Sequence, residues 1–422
     1  MTALLAACGG GGEPGIGLGS GTGSPPIASA EKSAAEPVAS AQDEKLPLPG
    51  YADGPADSAR FRVPQAIAVD RLGNKFVIDV MAYGDSVIRK ITPDGNVSTL
   101  TSPTADNPYN LLRWRPQQSF YMNVLGVGPG IVVDSRGALY VSNASRGTIE
   151  KVDVDGVVTL FAGVPDRAGN ADGPAGKALL NHPMALAIDS EDTIYFTDHD
   201  AQRVRKISPA GVVTTIAGRP LLPSPNYSAW SEAPVDGTGF NARFVSPTKI
   251  AVDAQKNIYV LDTSSVDKSM IRKITAEGVV TTLLSTSGNL CGSDSNPGGT
   301  LGASFDGLAV DAAGNVIVAD SVNHVLRKLS PTGQFSTFSG AEYSPCLSLP
   351  KPSRYENGPP ASARFGLEIG NIAMSPQGDL YVVDAGNHVI RKVDAAGNVS
   401  THAGVRSWSP CAREDAPILV EP

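Results

Sequence analysis

Ala309-Val310-Asp311-Ala312-Ala313-Gly314-Asn315 closes one apolar run and opens a second, Val316-Ile317-Val318-Ala319-Asp320; a third, Val325-Leu326-Arg327-Lys328-Leu329, follows closely. Short runs rich in β-branched residues and bounded by turn residues read as strands. Asp311 to Asn315 reads as a tight hairpin, with Gly314 supplying the positive φ that closes it. Pro331-Thr332-Gly333 marks a second hairpin before a fourth strand of the Val212-Val213-Thr214-Thr215-Ile216 type. One unit is therefore four antiparallel strands.

The unit recurs along the chain. Ala68-Val69-Asp70, Val132-Val133-Asp134, Ala187-Ile188-Asp189, Ala251-Val252-Asp253, Ala309-Val310-Asp311 and Ala373-Met374-Ser375 stand at spacings of 64, 55, 64, 58 and 64 residues. Nine residues beyond each anchor comes Asp79, Asn143, Asp198, Asp262, Asp320 or Asp384. Seven or ten residues further come Arg89, Glu150, Arg205, Arg272, Arg327 and Arg391. Each unit ends at Gly95, Gly156, Gly211, Gly278, Gly333 or Gly397 and a Val/Thr-rich run. Asp153-Val154-Asp155-Gly156 falls at this same turn, so it reads as a hairpin and not a calcium loop. Six four-stranded units predict an all-β chain folded as a six-bladed β-propeller. The blades fall at about 51–101, 124–163, 171–218, 236–284, 300–340 and 357–404.

Composition fits this reading. With 45 Gly and 33 Pro in 422 residues, long helices are broken, which excludes a helical bundle or solenoid. An apolar content of 41% suffices for a core. The formal charge of −8 disfavours nucleic acid as a partner. No run of 18 apolar residues is present, so no membrane-spanning helix is expected. Residues 9–50 are rich in Gly, Ala, Ser and Pro and read as a flexible tether. The tail 405–422 contains Ile418-Leu419-Val420, a candidate strand for closing the ring.

The Ile-Arg-Lys-Ile strings, the fixed Asp-to-Arg relation and the Asn323-His324 and Asn387-His388 pairs resemble the NHL-repeat propellers over residues 51–404. The resemblance implies a six-bladed ring. At the N-terminus, residues 1–8 read as the remainder of a lipoprotein signal. Leu5-Ala6-Ala7-Cys8 resembles a bacterial lipoprotein cleavage box, which implies that Cys8 carries lipid. That implies a monomeric protein anchored at the bacterial cell envelope, periplasmic or on the outer membrane, touching the membrane through lipid alone.

The strand-two Asp and strand-three Arg of each blade are expected to pair: Asp79 with Arg89, Asp198 with Arg205, Asp262 with Arg272, Asp320 with Arg327 and Asp384 with Arg391. In the second blade Asn143 and Glu150 replace both partners at once, which marks the charges as structural.

Function is expected on the face carrying the connectors from strand four to the next strand one, because loops on a rigid scaffold carry recognition. Trp114, Trp230 and Trp408 fall there, with Tyr109, Tyr121, Tyr227, Tyr343 and Tyr355. An equal alternative is that these rings pack the loops onto the propeller. Cys291, Cys346 and Cys411 follow strand four of three successive blades, so one disulfide is expected, with its pairing open. His182 stands before Pro183 at the start of a first strand and is the best single metal-ligand candidate; a zinc site needs about three ligands. Lys249, Asp306 and Asn371 are polar but scattered at the channel mouth. No nucleophile elbow, His-Glu-x-x-His or phosphate loop is found. The expectation is a non-enzymatic binding or scaffold protein without a cofactor, whose partner is an envelope protein, peptide or polysaccharide. The alternative is a metal-dependent lactonase- or lyase-type enzyme with a divalent metal in the central channel, as related six-bladed propellers have.

Overall fold

Each hairpin of the repeat is built by one short polar side chain that caps its own turn. Asp70 Oδ1 accepts from the backbone N–H of Leu72 at 2.9 Å and of Asn74 at 2.7 Å. Gly73 closes that turn at φ +82°, a conformation only glycine reaches without strain. Asp134, Asp189, Asp253 and Asp311 act in the same way, and Ser375 Oγ does so in the last blade. Asp153 builds the second hairpin of its blade identically.

A computed structural model describes residues 51–80, 85–101, 112–113, 129–219, 233–265, 268–286, 305–341, 355–366 and 368–405. These residues form six separate antiparallel sheets. The first holds β1 (Pro64–Val69), β2 (Lys75–Val80), β3 (Asp85–Ile91) and β4 (Val97–Thr99), with β5 (Leu112–Arg113) added to β3. The second holds β6 (Ile131–Val133), β7 (Leu139–Asn143), β8 (Thr148–Val152) and β9 (Val158–Gly163). The third runs from β10 (Gly173–Pro174) through β11 (Pro183–Ile188), β12 (Ile194–Asp198) and β13 (Arg203–Ile207) to β14 (Val212–Ala217). The fourth has β15 (Gly237–Thr238), β16 (Pro247–Val252), β17 (Ile258–Ser265), β18 (Lys268–Ile274) and β19 (Val279–Ser285). The fifth is β20 (Phe305–Val310) to β23 (Phe335–Ser339), through β21 (Val316–Asp320) and β22 (Val325–Leu329). The sixth is β24 (Ile369–Met374), β25 (Leu380–Asp384), β26 (Val389–Val393) and β27 (Val399–Ala403).

The innermost strands touch in the cyclic order β1, β6, β11, β16, β20, β24 and back to β1, so the sheets are six blades of a closed propeller. The core lies between blades, not within them. Six clusters of buried residues each join two neighbouring blades. Where blades two and three meet, a Cβ on Gly130 would lie 2.5 Å from Leu186 N, so only glycine allows that approach. Blade six supplies all four of its own strands, and the ring is closed by the segment ahead of blade one. Gly404 N–H donates to Ala56 O and Val405 N–H to Ala59 O, both at 2.9 Å, and Phe61 is buried against blade six. Ile418-Leu419-Val420 lies outside the described residues.

The β1–β2 and β3–β4 types of turn all lie on one face. The opposite face holds the β2–β3 loops, and the described fourth strands end toward it. Among the described residues no helix is long and apolar enough to cross a membrane.

Candidate functional site

The repeated charges meet inside the blades. Carboxylate-to-guanidinium distances are 3.2 Å for Asp79–Arg89, 2.7 Å for Asp198–Arg205 and 3.1 Å for Asp262–Arg272. They are 3.2 Å for Asp320–Arg327 and 2.8 Å for Asp384–Arg391. Burial pushes these carboxyl groups upward, Asp198 to about 6, while the arginine beside each one pulls it back.

In three blades a second acid completes the arginine, and in a fourth an asparagine does. Asp53, Asp172 and Asp236 lie 2.7, 2.8 and 2.8 Å from Arg89, Arg205 and Arg272, and Asn357 accepts from Arg391 at 2.8 Å. The same side chains accept from Thr99, Thr215, Thr282 and Thr401 on the outer strand. These four residues sit on a clip, a short segment ahead of the blade that bridges the outer strand at Gly54, Gly173, Gly237 and Gly358. Each arginine also donates to two clip carbonyls, such as Arg60 O and Ala52 O in blade one. Sequence reasoning missed these residues, although Ala52-Asp53-Gly54-Pro55, Ala171-Asp172-Gly173-Pro174, Val235-Asp236-Gly237-Thr238 and Glu356-Asn357-Gly358-Pro359 repeat visibly.

The clip also decides the place of one expected binding-face aromatic. The Tyr355 ring stacks 4.7 Å from the Arg391 guanidinium and its hydroxyl meets Thr401 Oγ1 at 2.5 Å. Tyr51 does the same over Arg89, at 4.3 Å. Both rings are occupied within their own blades because a buried guanidinium takes an aromatic face. Trp114, Tyr109, Tyr121, Trp230, Tyr227, Tyr343 and Trp408 lie outside the described residues, as do Cys8, Cys291, Cys346 and Cys411.

Blade two departs at every position. Asn143 Nδ2 donates to Glu150 Oε1 at 3.2 Å, Arg146 lies 3.5 Å from the same oxygen, and Leu160 faces Glu150 where the arginine blades have Thr. Burial raises Glu150, with these partners opposing it.

On the loop-bearing face, the residue just before strand three of a blade reaches into the next blade. His324 Nδ1 meets Gly366 O at 2.8 Å, His388 Nδ1 meets Arg62 O at 2.5 Å, and Gln202 Nε2 donates to Val245 O at 3.0 Å. All three hold left-handed φ values of 53–60°. The Asn-His repeat is thus a stitch between blades.

One group on this face is different. Asp200 Oδ1 lies 2.7 Å from His199 Nδ1, and Asp200 Oδ2 lies 2.7 Å from His182 Nδ1. His199 Nε2 meets Ser246 Oγ of the next blade, again at 2.7 Å. The two imidazoles hold Asp200 well below the usual carboxylate range, and Asp200 raises His182. His182 was singled out in the sequence; its neighbours Asp200 and His199 were not, because their approach depends on the turn after β12. Among the described residues no three His, Cys, Asp or Glu side chains are arranged to hold a metal ion. Both carboxylate oxygens of this group are already taken by imidazoles, so its donors do not fit a divalent-metal centre.

The channel between the inner strands holds a cavity of about 190 Å³ lined by apolar side chains together with Lys249 and Asn371. Lys249 is buried and pushed below its ordinary range by desolvation, against the pull of Asp306.

No family model matches the chain. Teneurin-m of Drosophila melanogaster is 26% identical over 372 residues, covering 81% of this chain and 12% of that protein. Teneurin-3 of Danio rerio is 26% identical over 369 residues with the same coverage. The chain thus spans about an eighth of the length of these relatives. A structural-genomics protein of unknown function from Bacteroides thetaiotaomicron aligns with a TM-score of 0.50 at 20% identity, covering 81% of this chain and 72% of that one. A streptogramin B lyase aligns with a TM-score of 0.46 at 13% identity, over 83% of this chain and 86% of that one. These likenesses concern the fold.

Proposed function

We propose that the chain is an NHL-type propeller, exported and lipid-anchored through Cys8 at the bacterial cell envelope, where it binds a partner on its loop-bearing face. The partner class is an envelope protein, a peptide or a polysaccharide. One observation carries this reading: the two faces are unequal. One consists of short capped hairpins in all six blades, while the described fourth strands, from which the connectors start, end toward the other. Variable loops held by a rigid ring suit recognition, and Trp and Tyr supply contact area at low entropic cost. The repeated charges are engaged within the blades, which leaves recognition to the loops. The metal-dependent lactonase- or lyase-type reading draws less support, since the donors beside His182 do not fit a metal.

A pull-down from envelope extract with Trp114, Trp230 and Trp408 all replaced by Ala tests the reading. Loss of the partner recovered by the parent chain is expected. Equal recovery by both proteins contradicts it.

A further inference from the structure

The contact between His199 and Ser246 differs from the stitches around it in what it joins. Ser142, Ser321, Gln202, His324 and His388 also cross from one blade to the next, but each ends on a backbone carbonyl. A carbonyl needs only a donor. His199 instead ends on a hydroxyl, with a carboxylate behind its other nitrogen and a second imidazole behind that carboxylate.

An ionised Asp200 has no proton to give, so the His199 Nδ1–H donates to Oδ1 at 2.7 Å. In the tautomer that carries its proton on Nδ1, His199 offers the Nε2 lone pair to Ser246 Oγ–H, 2.7 Å away. The serine is held from behind as well, because its backbone N–H donates to Asp262 Oδ1 at 2.8 Å. Among the described residues, the stitches that end on carbonyls have neither a carboxylate nor a second imidazole behind them.

We propose that Ser246, His199 and Asp200 form a nucleophile, base and orienting acid for acyl transfer, acting on a small carboxylic ester. Ser246 Oγ attacks the ester carbonyl carbon while its proton passes to His199 Nε2. The tetrahedral adduct then breaks its bond to the alkoxy oxygen, which leaves as the alcohol with the proton from His199. Water attacks the acyl-serine, His199 takes the water proton, and the carboxylic acid departs as Ser246 regains its hydrogen. Ser246 is 9% exposed, so the probe that tests the proposal must be small. The inference stands apart from partner binding, since a small ester reads it without any partner.

The test is covalent labelling of the full chain with a small fluorophosphonate. A single adduct is expected, mapped by mass spectrometry to Ser246, absent in Ser246→Ala and retained in Ser142→Ala. His199→Gln preserves a hydrogen-bonding side chain but no base, and should slow labelling by about 100-fold or more. No adduct at Ser246 in the parent chain overturns the proposal, whatever the variants do. Equal labelling rates in the parent chain and a folded His199→Gln variant overturn it too.

Discussion

At the scale of single residues, the stability of this ring depends on arginines that are almost wholly buried. Arg89, Arg205, Arg272 and Arg391 have 0% of their side chains exposed. Each keeps its charge because two side-chain oxygens and two backbone carbonyls accept its hydrogen bonds and aromatic faces pack against it. Removing one partner strands the other, which costs about 3–5 kcal/mol for a buried pair. Asp320 accepts from Asn323 N and Nδ2, at 3.1 and 2.8 Å, and faces Arg327. Asp320→Ala should therefore lower the midpoint of thermal unfolding far more than Asn143→Ala. The latter removes one bond to Glu150 and one to Ser145, each of about 1 kcal/mol. Equal and small losses in a pair of melting curves would contradict the pairing.

At the scale of the element, the clip acts as an extra edge strand: in the third and fourth blades it is the two-residue strand β10 or β15, and in the first and sixth an isolated bridge. Asp236 caps Thr282 N at 2.8 Å and Thr282 Oγ1 at 2.9 Å while holding Arg272. Its side chain is 45% exposed, so screening reduces the worth of the ion pair. Asp236→Ala should cost about 1–2 kcal/mol and speed hydrogen exchange at the Thr282 amide. Unchanged protection of that amide would show that the clip does not hold the edge. This element also marks where sequence reading stopped. Asp79 and Arg89 were legible because both sit on strands at a fixed offset, and strands impose period and register. Asp53, Asp172 and Asp236 stand at an equally regular 26 residues ahead of the strand-two Asp, but they precede the first strand, and nothing in that segment announces that it folds back onto the outer strand. His199 and Ser246 were illegible for a further reason: they belong to different blades, and their meeting depends on how two sheets pack. Tyr355 could be read equally as a binding ring or as one packing its loop, because nothing in its own segment announces Arg391.

At the scale of the whole molecule, the cores between blades make the ring mutually braced. Six clusters, one per junction, leave no blade that buries its apolar residues alone. The result is a closed ring of six blades with capped hairpins on one face. The repeat and the ring were legible from spacing; the inequality of the faces followed from chain direction, since strands alternate within each blade. The central claim, that partners are held on the connector face, is open to a direct measurement. A photo-crosslinking amino acid is placed at Trp114, Trp230 or Trp408 on connectors, and at Leu72 or Val154 on the hairpin face, which are 79% and 63% exposed. After irradiation of cell envelopes, the connector positions should form adducts and the hairpin positions should not. Adducts confined to Leu72 and Val154 would contradict the account.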